Sequence, residues 1–317
     1  MTPAPPLVVV AGATATGKTE LAIELGERIR ATGRPAAIIS ADSRQVFRGL
    51  DIGTAKATSA DRARIPHHGL DLVEPDAPFT VADFAAHARA ALAAIAADDG
   101  VAILAGGTGL YLRAVGRGLD TDALPSDAAI RAGLEAELRT DGLEPLVERL
   151  RALAPATAGR VDTRNPRRVV RALEIAEIGG DVPPPPMRGY PGPIVWLGLT
   201  VESATHAERI ATRARGQFDA GLIDEARALR ERFDPVLPAF SAIGYREAWA
   251  VLDGALTREA AIELDARRNV AFAKRQRTWF RAEPDIAWLD ATSALPTGAA
   301  FDRVRPVLEP VGPSRKR

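Results

Sequence analysis

Leu7-Val8-Val9-Val10-Ala11, running directly into Gly12-Ala13-Thr14-Ala15-Thr16-Gly17-Lys18-Thr19, decides the fold. The first half is a short valine-rich run. It reads as a strand buried on both faces, as in a parallel sheet. The second half has the spacing G-x-x-x-x-G-K-[ST]. It leads into Glu20–Ala31, where Leu21, Ile23, Leu25 and Ile29 recur among polar residues until Gly33 stops the helix. That spacing between a strand and a helix is the signature of a phosphate-binding loop. Its glycines let the backbone wrap an anion, its N–H groups point inward at a helix N-terminus, and the helix dipole favours negative charge. All eight residues from Gly12 to Thr19 are expected to hold a di- or triphosphate. Lys18 would neutralise the outer phosphates, and the Thr19 hydroxyl would help hold Mg2+.

Outward from this stretch, Ala36–Ser40, Val101–Ala105 and part of Pro193–Val201 read as further strands, and Val81–Ala97 as a helix. Strands alternating with helices imply an α/β fold with a parallel sheet flanked by helices, of the P-loop NTPase-like type. Between about Leu119 and Pro193 the pattern changes to helices alone, at Ser126–Thr140, Leu143–Ala152 and Pro166–Ile178. The third is well punctuated: Asn165 suits the N-cap, Pro166 the first turn, and Gly179-Gly180 the C-terminus. An inserted all-helical subdomain follows as the expectation. The expected division is 1–118 core, 119–193 insertion, 194–308 core again, with helices at His206–Phe233, Tyr245–Leu252 and Thr257–Arg281, and 309–317 a disordered tail.

Composition bounds the chemistry. The 317 residues contain no cysteine and four histidines, which excludes thiol catalysis and makes Cys- or His-based metal sites poor candidates. The N-terminus lacks the basic start and apolar stretch of a signal peptide, and no apolar run reaches the length of a membrane span. The expectation is a cytoplasmic protein with no membrane association. Lys plus Arg equals Asp plus Glu at 41 each, so any nucleic-acid footprint must be local.

Two one-signed clusters exist. Arg160, Arg164, Arg167, Arg168 and Arg171 face a single Asp162; Arg267, Arg268, Lys274, Arg275, Arg277 and Arg281 have no acid among them. Each reads either as a solvated helix face or as a contact for an RNA or DNA backbone. The strand Val101–Ala105 runs into Gly106-Gly-Thr-Gly109 without the carboxylate that usually completes a nucleotide-hydrolysing site. The strand Ala36–Ser40 does lead to an acid, Asp42. Asp42 reads as a Mg2+ ligand, a solvated loop residue, or a general base facing the phosphate. Because strand ends in a parallel sheet line the ligand crevice, the P-loop, Asp42 and Thr108 should converge there.

The chain resembles the tRNA dimethylallyltransferases over nearly its whole length. The likeness rests on Gly12–Thr19, Asp42-Ser-Arg-Gln45, Asp51-Ile-Gly-Thr-Ala-Lys56, Gly106-Gly-Thr-Gly-Leu-Tyr111, Asn165–Glu174, Ile243-Gly-Tyr-Arg246 and Lys274-Arg-Gln-Arg-Thr-Trp-Phe-Arg281. Ala57 and Pro166 depart from the family pattern. The resemblance implies transfer of a dimethylallyl group from its diphosphate to N6 of the adenosine 3′ of the anticodon, with Mg2+ as cofactor. Without cysteine, the appended zinc finger of eukaryotic relatives is excluded. The resemblance adds Arg213 (or Arg209) to the diphosphate site and implies a catalytic set of Asp42, Thr108 and Arg213. It implies tRNA contacts at Asp42, Ser43, Arg44, Gln45, Asn165, Arg167, Arg168, Tyr245, Arg246, Lys274, Arg275 and Arg281. The expected partners are the tRNA anticodon stem-loop and dimethylallyl diphosphate, with the protein acting as a monomer. Two alternatives share the P-loop: a small-molecule kinase of the shikimate-kinase type, and a prenyltransferase acting on free adenine nucleotide.

Overall fold

The computed structural model describes residues 3–309; of the expected tail at 309–317, all but Glu309 lies outside the described residues. Helices and strands follow in the order β1 (Leu7–Gly12), α1 (Lys18–Ala31), β2 (Ala36–Ser40), α2 (Ser59–Arg64), β3 (His67–His68), α3 (Val81–Ala97), β4 (Val101–Gly106) and α4 (Gly109–Gly116). Then come α5 (Ala128–Asp141), α6 (Glu144–Leu153), α7 (Pro155–Arg160) and α8 (Pro166–Gly179). The chain ends with β5 (Ile194–Thr200), α9 (Ser203–Asp219), α10 (Leu222–Arg232), α11 (Tyr245–Leu252), α12 (Arg258–Arg281), β6 (Ile286–Asp290) and α13 (Thr297–Leu308).

The strands form one parallel sheet in the order β3-β2-β4-β1-β5-β6. Every residue of β1 is buried, and its pleat sends alternate side chains to opposite faces. Leu7, Val9 and Ala11 join Ile39, Leu104, Phe84 and Phe240 on one face. Val8 and Val10 join Leu21, Leu25, Ile29, Ile38 and Ile103 on the other. This is why the strand reads as an unbroken apolar run: helices cover both faces, so no position is left for a polar residue.

The chain divides into two compact units. The larger ends at Gly118 and resumes at Gly189, five residues before the expected return at 194; the smaller is Leu119–Arg188. The smaller unit packs α5, α6 and α8 around Leu134, Leu146, Leu150, Val169 and Leu173. Asn165 accepts the Arg168 N–H as N-cap of α8, and Pro166 fills the first turn. Glu174 is fully buried there, paired with Arg131 and Arg171 and accepting the Asp127 N–H.

Two expectations need correction. His206–Phe233 is two helices rather than one, broken at Gly221, whose φ of 101° is left-handed and stops the helical ladder. The edge strand β6 and helix α13 were not anticipated. Ile286-Ala-Trp-Leu-Asp290 does carry four apolar residues in a row, but as the edge strand it is only partly buried.

Candidate active site

The carboxyl ends of β1, β2 and β4 meet at the P-loop. Gly12, Ala15 and Gly17 have φ of 154°, 59° and 91°. Ala15 in this region is uncommon for a residue with a Cβ and marks a backbone held against its preference. At Gly17 the left-handed φ itself favours glycine, and a Cβ would also lie 2.7 Å from Leu295 Cδ2, which would have to move aside. Thr16 Oγ1 and Lys18 Nζ both donate to the Ala13 carbonyl, at 2.9 and 2.6 Å. Lys18 thus lies folded across its own loop. Burial, with the nearby Arg213 guanidinium, lowers its pKa to about 8, against an opposing pull from Asp42.

Thr14 is held at all three of its polar atoms. Its N–H donates to Gln276 Oε1 (2.8 Å), its carbonyl accepts from His206 Nε2 (2.7 Å), and its hydroxyl accepts from Arg213 (2.7 Å). The bond to a carbonyl fixes the proton of His206 on Nε2, leaving Nδ1 to face an Arg277 N–H at 3.4 Å. Arg213 also reaches the Thr54 carbonyl, at 3.4 Å. Burial pushes its pKa down, while Asp42 and Asp265 pull it back up. Arg209 sits one turn earlier on α9, bonded to the Thr292 carbonyl. Arg209 and Arg213 line a cavity of about 320 Å³ with Ala15, Gly17, Ala291 and Leu295.

Asp42 follows β2, and its Oδ1 accepts the Arg44 N–H at 2.8 Å. Thr108 Oγ1 accepts the Ser43 N–H at 3.0 Å, tying the glycine-rich loop after β4 to the loop that carries Asp42. Gly106 can have no side chain, since a Cβ would meet the Ala41 carbonyl at 2.1 Å. The structure brings the P-loop, Asp42 and Thr108 to one end of the sheet, as the strand-end argument expects, and with them Arg213, the residue the resemblance added.

Gln45 lies beside them but is spent internally. It accepts from the Ser40 hydroxyl and donates to the carbonyls of Thr54 and Ala55. Arg44 donates to the Pro238 carbonyl. Tyr245 corrects an expectation. It was expected to contact tRNA, yet it is fully buried, and its hydroxyl donates to Glu225, which also accepts the N–H groups of Asp51, Ile52 and Gly53. Its ring packs where a Gly53 Cβ would stand, 2.6 Å away. A side chain sealed in this way has no surface to offer RNA. Its neighbour Arg246 is exposed. Asn165 is committed to its cap, while Arg167 and Arg168 of α8 are exposed.

The six cations between Arg267 and Arg281 on α12 divide by role. Arg268 pairs with buried Glu247, Arg267 with Glu263, and Arg277 faces His206. Lys274, Arg275 and Arg281 are exposed and make no ion pair among the described residues; Arg275 lies 5.6 Å over the Phe272 ring. The inward face of the same helix carries Gln276, Asp265 and Phe280, all buried. Gln276 and His206 were missed by sequence reading. The signals for Gln276 were its place in the quoted stretch Lys274–Arg281 and an uncharged side chain in the middle of an arginine run. Among the described residues no three His, Asp or Glu cluster to hold a metal unaided.

The chain is similar to known proteins over most of its length. A family model described as IPP transferase matches residues 45–283. The tRNA dimethylallyltransferase of Anaeromyxobacter sp. (strain K) is 45% identical over 313 residues, covering 97% of this chain and 99% of that one. The enzyme of the same name from Thermus thermophilus is 42% identical over 287 residues, 89% and 91% of the two chains. The crystal structure of the full-length tRNA isopentenylpyrophosphate transferase from Bacillus halodurans matches with a TM-score of 0.69 and 35% identity over 95% of each chain. A eukaryotic dimethylallyltransferase crystallised while acting on tRNA shares the fold, with a TM-score of 0.71 at 22% identity, over 91% of this chain and 74% of that one. By its family match and by relatives of this identity over nearly full length, the chain belongs to the IPP transferase family.

Proposed function

We propose that this protein transfers a dimethylallyl group from dimethylallyl diphosphate to N6 of the adenosine 3′-adjacent to the anticodon in tRNA. The observation that carries the reading is the meeting of Lys18 and Arg213 on the P-loop beside Asp42, with no carboxylate after β4. Such a loop is suited to stabilising a departing diphosphate. It lacks the acid that usually completes a γ-phosphate site.

The adenine amine is a weak nucleophile because its lone pair is delocalised into the ring. An allylic diphosphate compensates, since its C1–O bond breaks towards a stabilised cation. N6 attacks C1, the C1–O pair leaves on the diphosphate, and the surplus N6 proton passes to the Asp42 carboxylate. The P-loop amides, Lys18 and Arg213 stand where the leaving group's charge grows, so they act most strongly in the transition state. Thr108 holds the Asp42 loop through Ser43. Reaching N6 requires the base to leave the anticodon stack. Ser43 and Arg44 flank the place it would enter. Exposed Arg167, Arg168, Arg246, Lys274, Arg275 and Arg281 are the proposed contacts to the RNA backbone.

The Thr19 hydroxyl is exposed and has no hydrogen-bond partner among the described residues, which fits a hydrated Mg2+ shared with the diphosphate. When bound, that ion would offset charge on the diphosphate oxygens. Every group invoked comes from one chain, so a monomer suffices. No helix among the described residues is long and apolar enough to cross a membrane, in keeping with work on cytoplasmic tRNA.

The test is incubation of the purified protein with unmodified tRNA and dimethylallyl diphosphate, followed by mass spectrometry of the digest. N6-dimethylallyl adenosine at the position 3′ of the anticodon is expected, with no turnover of free AMP or ATP. Absence of the alkylated nucleoside, or alkylation of the free nucleotide alone, would sink the reading.

A further inference from the structure

Gln276 sits on the buried face of α12, and its amide uses both ends at once. Oε1 accepts the Thr14 N–H at 2.8 Å and Nε2 donates to the Gly107 carbonyl at 2.9 Å. Those partners belong to different halves of the site. Thr14 is the P-loop residue whose hydroxyl receives Arg213, on the leaving-group side. Gly107 precedes Thr108, which anchors Ser43 next to Asp42, on the acceptor side. The glycine at 107 is required for the bridge, because a Cβ there would stand 2.3 Å from Gln276 Nε2. No other side chain among the described residues joins these two loops by hydrogen bonds.

We infer that Gln276 is a positioning residue that sets the distance between the diphosphate cradle and the acceptor loop bearing Asp42 and Thr108. The inference rests on the proposed alkyl transfer and goes beyond it by assigning a residue that touches neither substrate. In-line displacement depends on the spacing of nucleophile, carbon and leaving group, and an error near 1 Å can cost about a hundredfold in rate. Each half keeps its own recognition elements without the bridge: the P-loop amides and Lys18 on one side, the exposed cations on the other. Pairing of β1 with β4 ends at Ala11 and Gly106, and beyond it the Gln276 bridge is the side-chain tie between the two loops. Its loss should therefore appear in kcat and not in the binding of either substrate.

The experiment compares wild type, Gln276→Met, Gly107→Ala and the double variant in steady-state assays with tRNA and dimethylallyl diphosphate. Inorganic pyrophosphate binding and thermal melting are followed in parallel. Gln276→Met keeps the side chain's length and removes both hydrogen bonds; Gly107→Ala displaces the same amide from the other side. Each single variant is expected to lose at least tenfold in kcat, with both KM values and pyrophosphate affinity within about threefold of wild type. The double variant should be no worse than the poorer single one, because both changes break one contact. An unchanged kcat in the folded Gln276→Met protein would overturn the assignment. A rise confined to the KM for dimethylallyl diphosphate would do so too, as it would make Gln276 part of the P-loop alone. Multiplied losses in the double variant would show two separate effects and likewise overturn it. Failure of the wild-type protein to alkylate tRNA at all would instead fall on the proposed function.

Discussion

Replacing Asp42 by Asn isolates the base from the scaffold. The asparagine keeps the shape of the side chain and an Oδ1 that can still accept the Arg44 N–H now bonded at 2.8 Å, so the loop keeps its turn. What disappears is the proton acceptor and one negative charge. Removing a general base costs roughly 10²- to 10⁴-fold, or about 2.7–5.5 kcal/mol of transition-state stabilisation. Binding should move the other way, if at all. Asp42 is an anion facing an anionic RNA, so its neutralisation leaves tRNA affinity equal to wild type or slightly tighter. A second effect follows from the cations, because Asp42 opposes the lowering of both the Lys18 and Arg213 pKa values. In Asp42→Asn, Lys18 should lose its proton at lower pH than in wild type. Single-turnover alkylation with labelled dimethylallyl diphosphate, alongside filter binding of tRNA, separates rate from affinity. A fall in rate of less than tenfold, or a loss of binding as large as the loss of rate, would refute the role of Asp42 as base.

Two pH predictions follow from the same structure. With Lys18 held at about 8 in the free protein, binding the diphosphate above that pH requires proton uptake. The kcat/KM for dimethylallyl diphosphate should fall with rising pH, approaching tenfold per unit beyond about pH 8, and a flat profile to pH 10 would contradict this. Each of the four histidines (His67, His68, His87 and His206) is pushed by burial below its usual 6.5. Below pH 6.5 the unfolded chain takes up these protons first, so stability present above that pH is lost as pH falls. Buried Asp265, raised to about 6, acts in the opposite sense, but as one group against four. Melting temperature should therefore drop between pH 7 and 5.5, and a rise over that interval would show the histidines to be solvated.

What was legible in the sequence was what local pattern encodes. The valine run of β1 and the glycine spacing of the P-loop are both local, and each could be read without knowing its neighbours. Asp42 and Thr108 were legible because strand ends in a parallel sheet share one edge. Tyr245 was misplaced because its motif neighbours Gly244 and Arg246 gave no sign that its hydroxyl would find Glu225, twenty residues away on another helix. Gln276 was invisible for a similar reason. Its partners Thr14 and Gly107 are 262 and 169 residues distant, and only the folded chain brings them to one amide. The charge of α12 could be counted, but not its division into cations paired within the protein (Arg267, Arg268), one facing His206 (Arg277), and cations facing outward (Lys274, Arg275, Arg281).

The most direct measurement is mass spectrometry of tRNA nucleosides from cells lacking this protein. N6-isopentenyladenosine should vanish from the position 3′ of the anticodon and return when the wild-type chain is supplied, but not when Asp42→Asn is supplied. Persistence of the modified nucleoside at its normal level in the deleted cells would contradict alkyl transfer to tRNA as the role of the P-loop and Asp42.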